Sequence, residues 1–377
     1  MESILNANKA WIDETWDKMV EKLRKVSVST RNKLPHSTVD GVYDDKSGGL
    51  ASSWTNGFWP GIMWLMYAGT GEDTFRKTAE NGEEILDKAL ACYNVLHHDV
   101  GFMWHISAGA NYRLTGNEKS KNRNLHAAAA LAARYNVNGE FIKAWNEEGF
   151  EGWVIIDSMM NIPLLYWAEK ETNNIAFRQI AMHHADKTME HHIRPDGSVY
   201  HIMDYDINTG ECNGPARITQ GYEPKTSSWS RGQAWAIYGF VLSYLHTGEQ
   251  RYLDTAKKVA HYFISAIIPD NFVPRSDFRA PEEPIYYDTS AAAIAACGLI
   301  EIAKAVPEFE KKMYMQAAVN IMKALVEKHC DFTDKDEAIL QNCTGSYGEE
   351  VHYTCVYGEY YFVEAMYKLK GFEPLFW

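Results

Sequence analysis

The 377-residue sequence has no run of 18 apolar residues, so it carries no membrane-spanning helix of the usual kind. Cations are scarce: 37 Lys and Arg stand against 50 Asp and Glu, a net charge of −13. A surface of that sign repels phosphate backbones and anionic lipid, and neither nucleic acid nor membrane is expected as a partner. The six cysteines, Cys92, Cys212, Cys297, Cys330, Cys343 and Cys355, form no C-x-x-C pair and no zinc-like His spacing. They read as reduced, structural thiols, and no metal is expected. The start, Met1-Glu2-Ser3-Ile4-Leu5-Asn6, lacks a basic stretch leading into an apolar core, which predicts an unexported, cytoplasmic protein. Nucleotide-binding glycine loops and the Gly-x-Ser-x-Gly elbow are missing too. Nucleotide cofactors and a serine nucleophile are therefore unsupported, and no cofactor is expected.

What is abundant is aromatic: 12 Trp, 22 Tyr and 15 Phe. Helical periodicity dominates their placement. Trp11, Ile12, Trp16, Met19, Val20 and Leu23 make one apolar stripe and predict a helix over 7–26. Similar stripes predict helices over 58–68, 73–95, 100–113, 118–135, 157–170, 174–192, 231–246, 249–267, 289–305, 308–329 and 357–370, twelve in all. Short polar breaks recur between alternate members: Gly69-Thr70-Gly71-Glu72, Leu114-Thr115-Gly116-Asn117, Glu171-Thr172-Asn173-Asn174 and His246-Thr247-Gly248-Glu249. Each offers a Gly or Asn able to take positive φ and end one helix, then residues that favour the start of the next. Val306-Pro307-Glu308 is a divergent fifth. The remaining connections, 27–57, 136–156, 193–230, 268–288 and 330–356, are long. A helical hairpin repeated six times, with short and long links alternating, predicts an all-α (α/α)6 barrel spanning residues 1–377 as one catalytic domain. Even-numbered helices form its inner ring. The long connections feed their N-termini at one mouth, where irregular loops and helix-dipole ends gather.

The approaches to the inner helices hold Ser53-Trp54-Thr55-Asn56-Gly57, His97-His98-Asp99-Val100-Gly101-Phe102, Ile155-Ile156-Asp157-Ser158-Met159, Thr219-Gln220-Gly221 with Ser228-Trp229-Ser230-Arg231-Gly232-Gln233-Ala234-Trp235, Asp288-Thr289-Ser290, and Gly345-Ser346-Tyr347. Asp99 and Asp157 have apolar neighbours that would desolvate each carboxyl and raise its pKa. A neutral carboxylic acid beside an ionised one suits acid/base chemistry on sugars; a bare N-cap role competes for each Asp. Trp54, Trp229 and Trp235 are stacking candidates or core anchors. Arg231 offers a two-donor fork to a carboxylate, or a surface ion pair. His183, His184, His191 and His192 lack metal-ligand spacing and read as a solvated helix face. His201 precedes the long loop at the mouth and is a pocket candidate.

In their order and spacing, these segments resemble the unsaturated glucuronyl hydrolases of glycoside hydrolase family 88. The resemblance runs from Trp54-Thr55-Asn56-Gly57-Phe58-Trp59 through His98-Asp99, Ile156-Asp157 and the Trp229–Trp235 run to Asp288-Thr289-Ser290-Ala291. It implies an (α/α)6 barrel acting on the Δ4,5-unsaturated uronic acid that lyases leave at the non-reducing end of oligosaccharides. By the same resemblance Asp157 is the general acid/base that protonates C4 and assists water at C5, and Asp99 is its partner carboxylate. Trp54, Gln220, Trp229, Arg231 and Trp235 match substrate-pocket positions, with Arg231 facing the uronate carboxylate. His201 matches a pocket histidine near the double bond, and Ser346 a residue touching the neighbouring sugar. The implied partner is a small oligosaccharide such as an unsaturated uronyl disaccharide.

Two departures bear on specificity. Many relatives carry an acidic residue where this chain has Asn56, which predicts an altered contact near Trp54. Members that prefer sulfated disaccharides carry a Ser-x-x-Ser-x-Lys-like stretch where this chain has Ser346-Tyr347-Gly348-Glu349-Glu350-Val351. Two carboxylates there would repel a sulfate, so a preference for unsulfated disaccharides is expected. An unsaturated rhamnogalacturonyl hydrolase shares the chemistry and remains a sister reading. A sugar 2-epimerase would need paired pocket histidines, and a non-catalytic glycan-binding barrel would need no desolvated carboxylates.

Overall fold

The computed structural model describes residues 1–377. Twelve α-helices follow one another as α1 (Glu2–Ser29), α2 (Phe58–Thr70), α3 (Asp73–Leu90), α4 (Ala108–Thr115), α5 (Glu118–Ala132), α6 (Pro163–Thr172), α7 (Ile175–His191), α8 (Ser230–Thr247), α9 (Gln250–Ile267), α10 (Thr289–Ala305), α11 (Glu308–Lys328) and α12 (Val356–Leu369). The even-numbered members α8, α10 and α12 are buried along most of their length, while α3 and α9 bury one stripe and wet the other. That division makes an inner and an outer ring, and α12 closes the inner one by packing on α2. The fold is the expected (α/α)6 barrel. None of its helices is long and apolar enough to cross a membrane.

The short breaks work as their residue types require. Gly71, Gly116, Asn173 and Gly248 end α2, α4, α6 and α8 with φ of 73°, 72°, 56° and 74°, the left-handed conformation that Gly and Asn adopt at least cost. Asn117 and Asn174 then cap α5 and α7 by accepting backbone N–H groups. At the fifth break Val306 stays extended at φ −87°, and Pro307 starts the next helix without a left-handed residue.

Two predicted inner helices begin later than their stripes suggest. The fourth, expected from 100, opens as a π-helical turn over Gly101–His105 before α4 starts at Ala108. Its Phe102 N–H is taken by the Asn161 side-chain oxygen at 2.8 Å, outside the helical ladder. π-turns of this kind concentrate at functional sites. The sixth, expected from 157, is a 3₁₀ turn over Ile156–Met160, and α6 starts only at Pro163, whose ring suits a first helical position.

The long connections also hold strands too short to show as alternating patterns. Hairpins pair β1 (Thr38–Val39) with β2 (Val42–Tyr43) and β3 (Tyr135–Asn136) with β4 (Phe141–Ile142). A three-stranded antiparallel sheet joins β5 (Trp153–Ile155), β6 (Ile202–Tyr205) and β7 (Cys212–Pro215), with Ile155 opposite Ile202. This sheet fixes the site, because His201 immediately precedes β6 and Asp157 lies two residues beyond β5. The reading of the His183–His192 stretch as solvated is corrected. His184 and His192 are fully buried, the first accepting the Ile142 N–H at 3.1 Å, the second 3.2 Å from the Val154 carbonyl. They tie α7 to the loops under the sheet.

Candidate active site

Asp99 ends the connection from α3, and Asp157 sits in the 3₁₀ turn before α6. Two contacts knit these segments together. Asn161, one helical turn after Asp157, donates from Nδ2 to Asp99 Oδ1 at 3.3 Å and to the Asp157 carbonyl at 3.4 Å. Ser158 Oγ lies 3.0 Å from His98 Nδ1, and His98 Nε2 lies 3.2 Å from Asp99 Oδ2. His97 Nδ1 approaches the same oxygen at 3.1 Å.

This surrounding corrects the expectation for Asp99. Burial pushes its carboxyl up, but the imidazoles of His98 and His97 outweigh burial and hold it well below the usual carboxylate range. Apolar neighbours in sequence misled because the decisive neighbours are two rings on the same tight segment. Asp157 behaves as expected. Burial, then the negative Asp99, raise it to about 7, with Arg231 pulling the other way. The site thus pairs an ionised carboxylate with a protonatable one. Asp157 Oδ2 is buried with no hydrogen-bond partner, and so is His201 Nε2, which faces it from 3.7 Å. His201 Nδ1 accepts the Gln220 N–H at 3.1 Å, so the ring's own proton sits on the Nε2 that points at Asp157. Burial keeps the ring neutral. Unsatisfied buried polar atoms that converge on one point are what a ligand or water completes.

The other predicted residues surround this pair. Trp229 packs its ring 4.4 Å from His201. Trp235 is fully buried, 5.2 Å from Phe102, and Phe102 also touches the half-buried Trp54 at 5.7 Å. Trp54 therefore has the open face, and the two deeper tryptophans form the wall. Gln220 links the pocket to the last connection, its carbonyl accepting the Tyr347 N–H at 2.8 Å. The adjacent Ser346 forms a tight turn with Glu349.

Arg231 is buried, and its ion pair is internal rather than on the surface. Nη1 lies 3.0 Å from Asp288 and 2.6 Å from the Thr344 carbonyl, and Nη2 donates to the Gly345 carbonyl at 2.7 Å. Asp288 in turn caps α10 through the Ser290 and Ala291 N–H groups. Most of the fork is thus engaged by the protein, which leaves Nε and one Nη2 hydrogen for a ligand. Asn56 is buried and donates to the Ala51 carbonyl at 2.8 Å. Residues that sequence reasoning left without a role are Asn161, Ser158 and the His97-His98 pair. The signal for Asn161 was its i+4 spacing from Asp157. His97, His98 and Asp99 can bring three ligand atoms within 4.8 Å of one another, and both rings already approach the same Asp99 oxygen.

The profile of glycosyl hydrolase family 88 matches residues 11–375. An unsaturated glucuronyl hydrolase from Bacillus sp. (strain GL1) is 35% identical over 86% of this chain and 88% of its own length. An unsaturated chondroitin disaccharide hydrolase from Streptococcus pyogenes serotype M1 is 34% identical, covering 86% and 83%. The crystal structure of the Bacillus sp. GL1 unsaturated glucuronyl hydrolase superposes with a TM-score of 0.87 at 32% identity, over 94% of this chain and 96% of that one. With a family match over residues 11–375 and relatives 35% and 34% identical over most of both chains, this chain belongs to glycosyl hydrolase family 88.

Proposed function

We propose that the enzyme removes the Δ4,5-unsaturated uronic acid from the non-reducing end of lyase-generated oligosaccharides by hydrating its enol ether. The observation that carries this reading is the pairing of an ionised Asp99 with a buried Asp157 whose pKa is raised to about 7 and whose Oδ2 has no partner.

Asp157, protonated, gives its proton to C4, and positive charge develops at C5 and the ring oxygen. Asp99 is the fixed negative charge nearby and stabilises that cation. The Asp157 carboxylate then takes a proton from the water that attacks C5, which returns the acid to its starting state. The product is a hemiketal at C5. Its collapse opens the ring and releases the saturated sugar with a keto acid, and no displacement at the anomeric carbon is needed. His201 Nε2–H, beside Asp157, orients the water or the substrate near the double bond, and Trp54 supplies a face for a pyranose ring. Membership of a hydrolase family, with two desolvated carboxylates at the mouth, supports this reading over a 2-epimerase or a non-catalytic barrel.

Substrate choice follows from the Ser346–Glu349 turn. Glu349 and Glu350 are both exposed there, and their charge supports a preference for unsulfated uronyl disaccharides.

The test is ultraviolet absorbance of an unsaturated uronyl disaccharide with wild-type enzyme and with Asp157→Asn. Loss of the conjugated chromophore with the wild type only is the expected result. Persistence of the chromophore with wild type, across glycosaminoglycan- and pectin-derived substrates, overturns the proposal.

A further inference from the structure

Beyond the catalytic pair, an aromatic run leaves the pocket along one face of the β5–β6–β7 sheet. It begins at His98, whose ring meets the half-buried Trp145 edge-on at 6.3 Å. Trp145 in turn packs on Phe150 at 5.9 Å and Trp153 at 6.0 Å, and Phe150 stacks on Trp153 at 4.1 Å. The platform is rigid. Arg134 donates to the carbonyls of Leu96, Ala144 and Trp145 at 3.0–3.1 Å and so pins the loop that bears Trp145. Trp153, Ile155, Ile202 and Ala216 floor it from the sheet.

The far end of this platform is cationic. Arg217 is exposed, with its guanidinium 5.3 Å from the Phe150 ring centre and 5.0 Å from that of Trp153. Neither Arg217 nor Lys225 is held in a salt bridge, although the chain carries 13 more acids than bases and Lys225 acts through space on Glu223. Both line a groove of about 560 Å³ together with Trp153, Ala216, Asn213 and Asp204. The acids of this groove are already held: Asp204 by Asn213 at 3.1 Å, and Glu223 by the N–H groups of Lys225 and Thr226. The groove also borders the chemistry. Arg217 is two residues from Thr219, whose hydroxyl lies 3.2 Å from His201 Nδ1, and Trp145 touches the ring that holds Asp99.

The geometry points to an outer sugar-binding subsite on the reducing side of the substrate. Trp145 and Phe150 stack on sugar rings beyond the one cleaved off, and Arg217 with Lys225 takes an anionic group there, the carboxylate of a second uronate. This rests on the function proposed above and makes the enzyme a processor of longer acidic fragments as well as disaccharides.

The experiment compares kcat/KM for an unsaturated disaccharide with that for an unsulfated unsaturated tetrasaccharide whose third sugar is a uronate. Wild type, Arg217→Ala and Arg217→Ala/Lys225→Ala are measured, both substituted positions being exposed. The tetrasaccharide-to-disaccharide ratio is expected to fall about tenfold in the double variant, and the wild-type ratio to fall as salt rises. A disaccharide sulfated on its second sugar serves as a further arm. Sensitivity of the tetrasaccharide alone assigns the cations to the distant carboxylate, whereas sensitivity of the sulfated disaccharide alone reassigns them to sulfate and overturns the uronate subsite. An unchanged ratio in every variant overturns the subsite altogether. Failure of the underlying function is distinguishable, since wild type would then leave the chromophore of every substrate intact. Titration calorimetry of Asp157→Asn with the same tetrasaccharide, with and without Arg217→Ala, reads the subsite independently of turnover: about tenfold weaker binding supports it, equal binding overturns it.

Discussion

Asp157 and Glu83 are both buried carboxylates, and their surroundings could hardly differ more. Glu83, on α3, accepts from Trp64 Nε1 at 3.0 Å, Asn111 Nδ2 at 2.9 Å, Ser120 Oγ at 2.6 Å and Arg123 Nη1 at 3.1 Å. Burial pushes it up, and that ring of donors pushes back. Asp157 keeps Oδ2 bare, and the charge that acts on it most strongly is another carboxylate, Asp99. The first arrangement spends every lone pair on the fold, so nothing remains for a substrate. The second leaves the fold with an unsatisfied group that substrate or water completes, which is how a protein stores reactivity at some cost in stability.

The largest expected effect comes from exchanging charge for a neutral isostere at each place. Asp157→Asn should lower kcat/KM by about a thousandfold or more while substrate still binds. It should also stabilise the protein at pH 8. Burial holds the folded-state pKa of Asp157 at about 7, well above the ordinary carboxyl range, so its stabilising contribution is full below about pH 4 and is lost as pH rises towards 7. Asn has no such loss, and urea unfolding should show a gain of about 2–4 kcal/mol at pH 8 that vanishes near pH 4. Glu83→Gln should do the reverse: activity per folded molecule kept within about threefold, and unfolding free energy reduced by about 3 kcal/mol because Arg123 loses a buried partner.

A smaller effect separates the two carboxylates of the mouth. Asp99→Asn should cost about a hundredfold in kcat/KM. Its diagnostic is the pH profile. In the wild type, activity falls as Asp157 deprotonates above about pH 7; without the Asp99 charge that limb should move towards lower pH, because one of the two causes raising Asp157 is gone. An unshifted limb would remove Asp99 from the electrostatic account.

Asn161 is the next step down. Its Nδ2 holds Asp99, and its Oδ1 holds the Phe102 N–H that opens the π-turn. Asn161→Ala should reduce kcat/KM about tenfold and lift the acid limb, since Asp99 loses a donor to its ionised form. A variant with reduced activity but an unmoved acid limb would assign Asn161 to packing alone.

The reach of the sequence is clearest at particular residues. Gly71, Gly116, Asn173 and Gly248 announce the inner-helix ends because a left-handed φ is a local demand that few residue types meet. Apolar stripes of period 3.6 give the twelve helices for the same reason: the signal lies within one turn of itself. The π-turn at Gly101–His105 is invisible because its cause, the Asn161 oxygen, lies 59 residues away from Phe102. The same holds for Arg231, whose partner Asp288 is 57 residues distant, and for strands of three or four residues buried in long loops. The raised Asp157 was legible from its apolar flanks. Asp99 was not, since a flanking-residue argument counts burial and misses how two adjacent imidazoles aim.

The smallest effect tests the rim rather than the floor of the site. The Ser346–Glu349 turn is tied to the pocket through Tyr347 N–H on Gln220 and through the Gly345 carbonyl on Arg231. Its two glutamates stand in solvent, where screening limits each to a modest influence on a nearby anion. Glu349→Ser/Glu350→Lys changes the local charge by three units without touching Asp99 or Asp157. Relative kcat/KM for a sulfated over the matched unsulfated unsaturated chondroitin disaccharide should rise about threefold to tenfold, with most of the gain lost at high salt. A wild type that already prefers the sulfated substrate would show that these carboxylates do not face the second sugar. Discrimination would then belong to the cationic groove at Arg217 and Lys225.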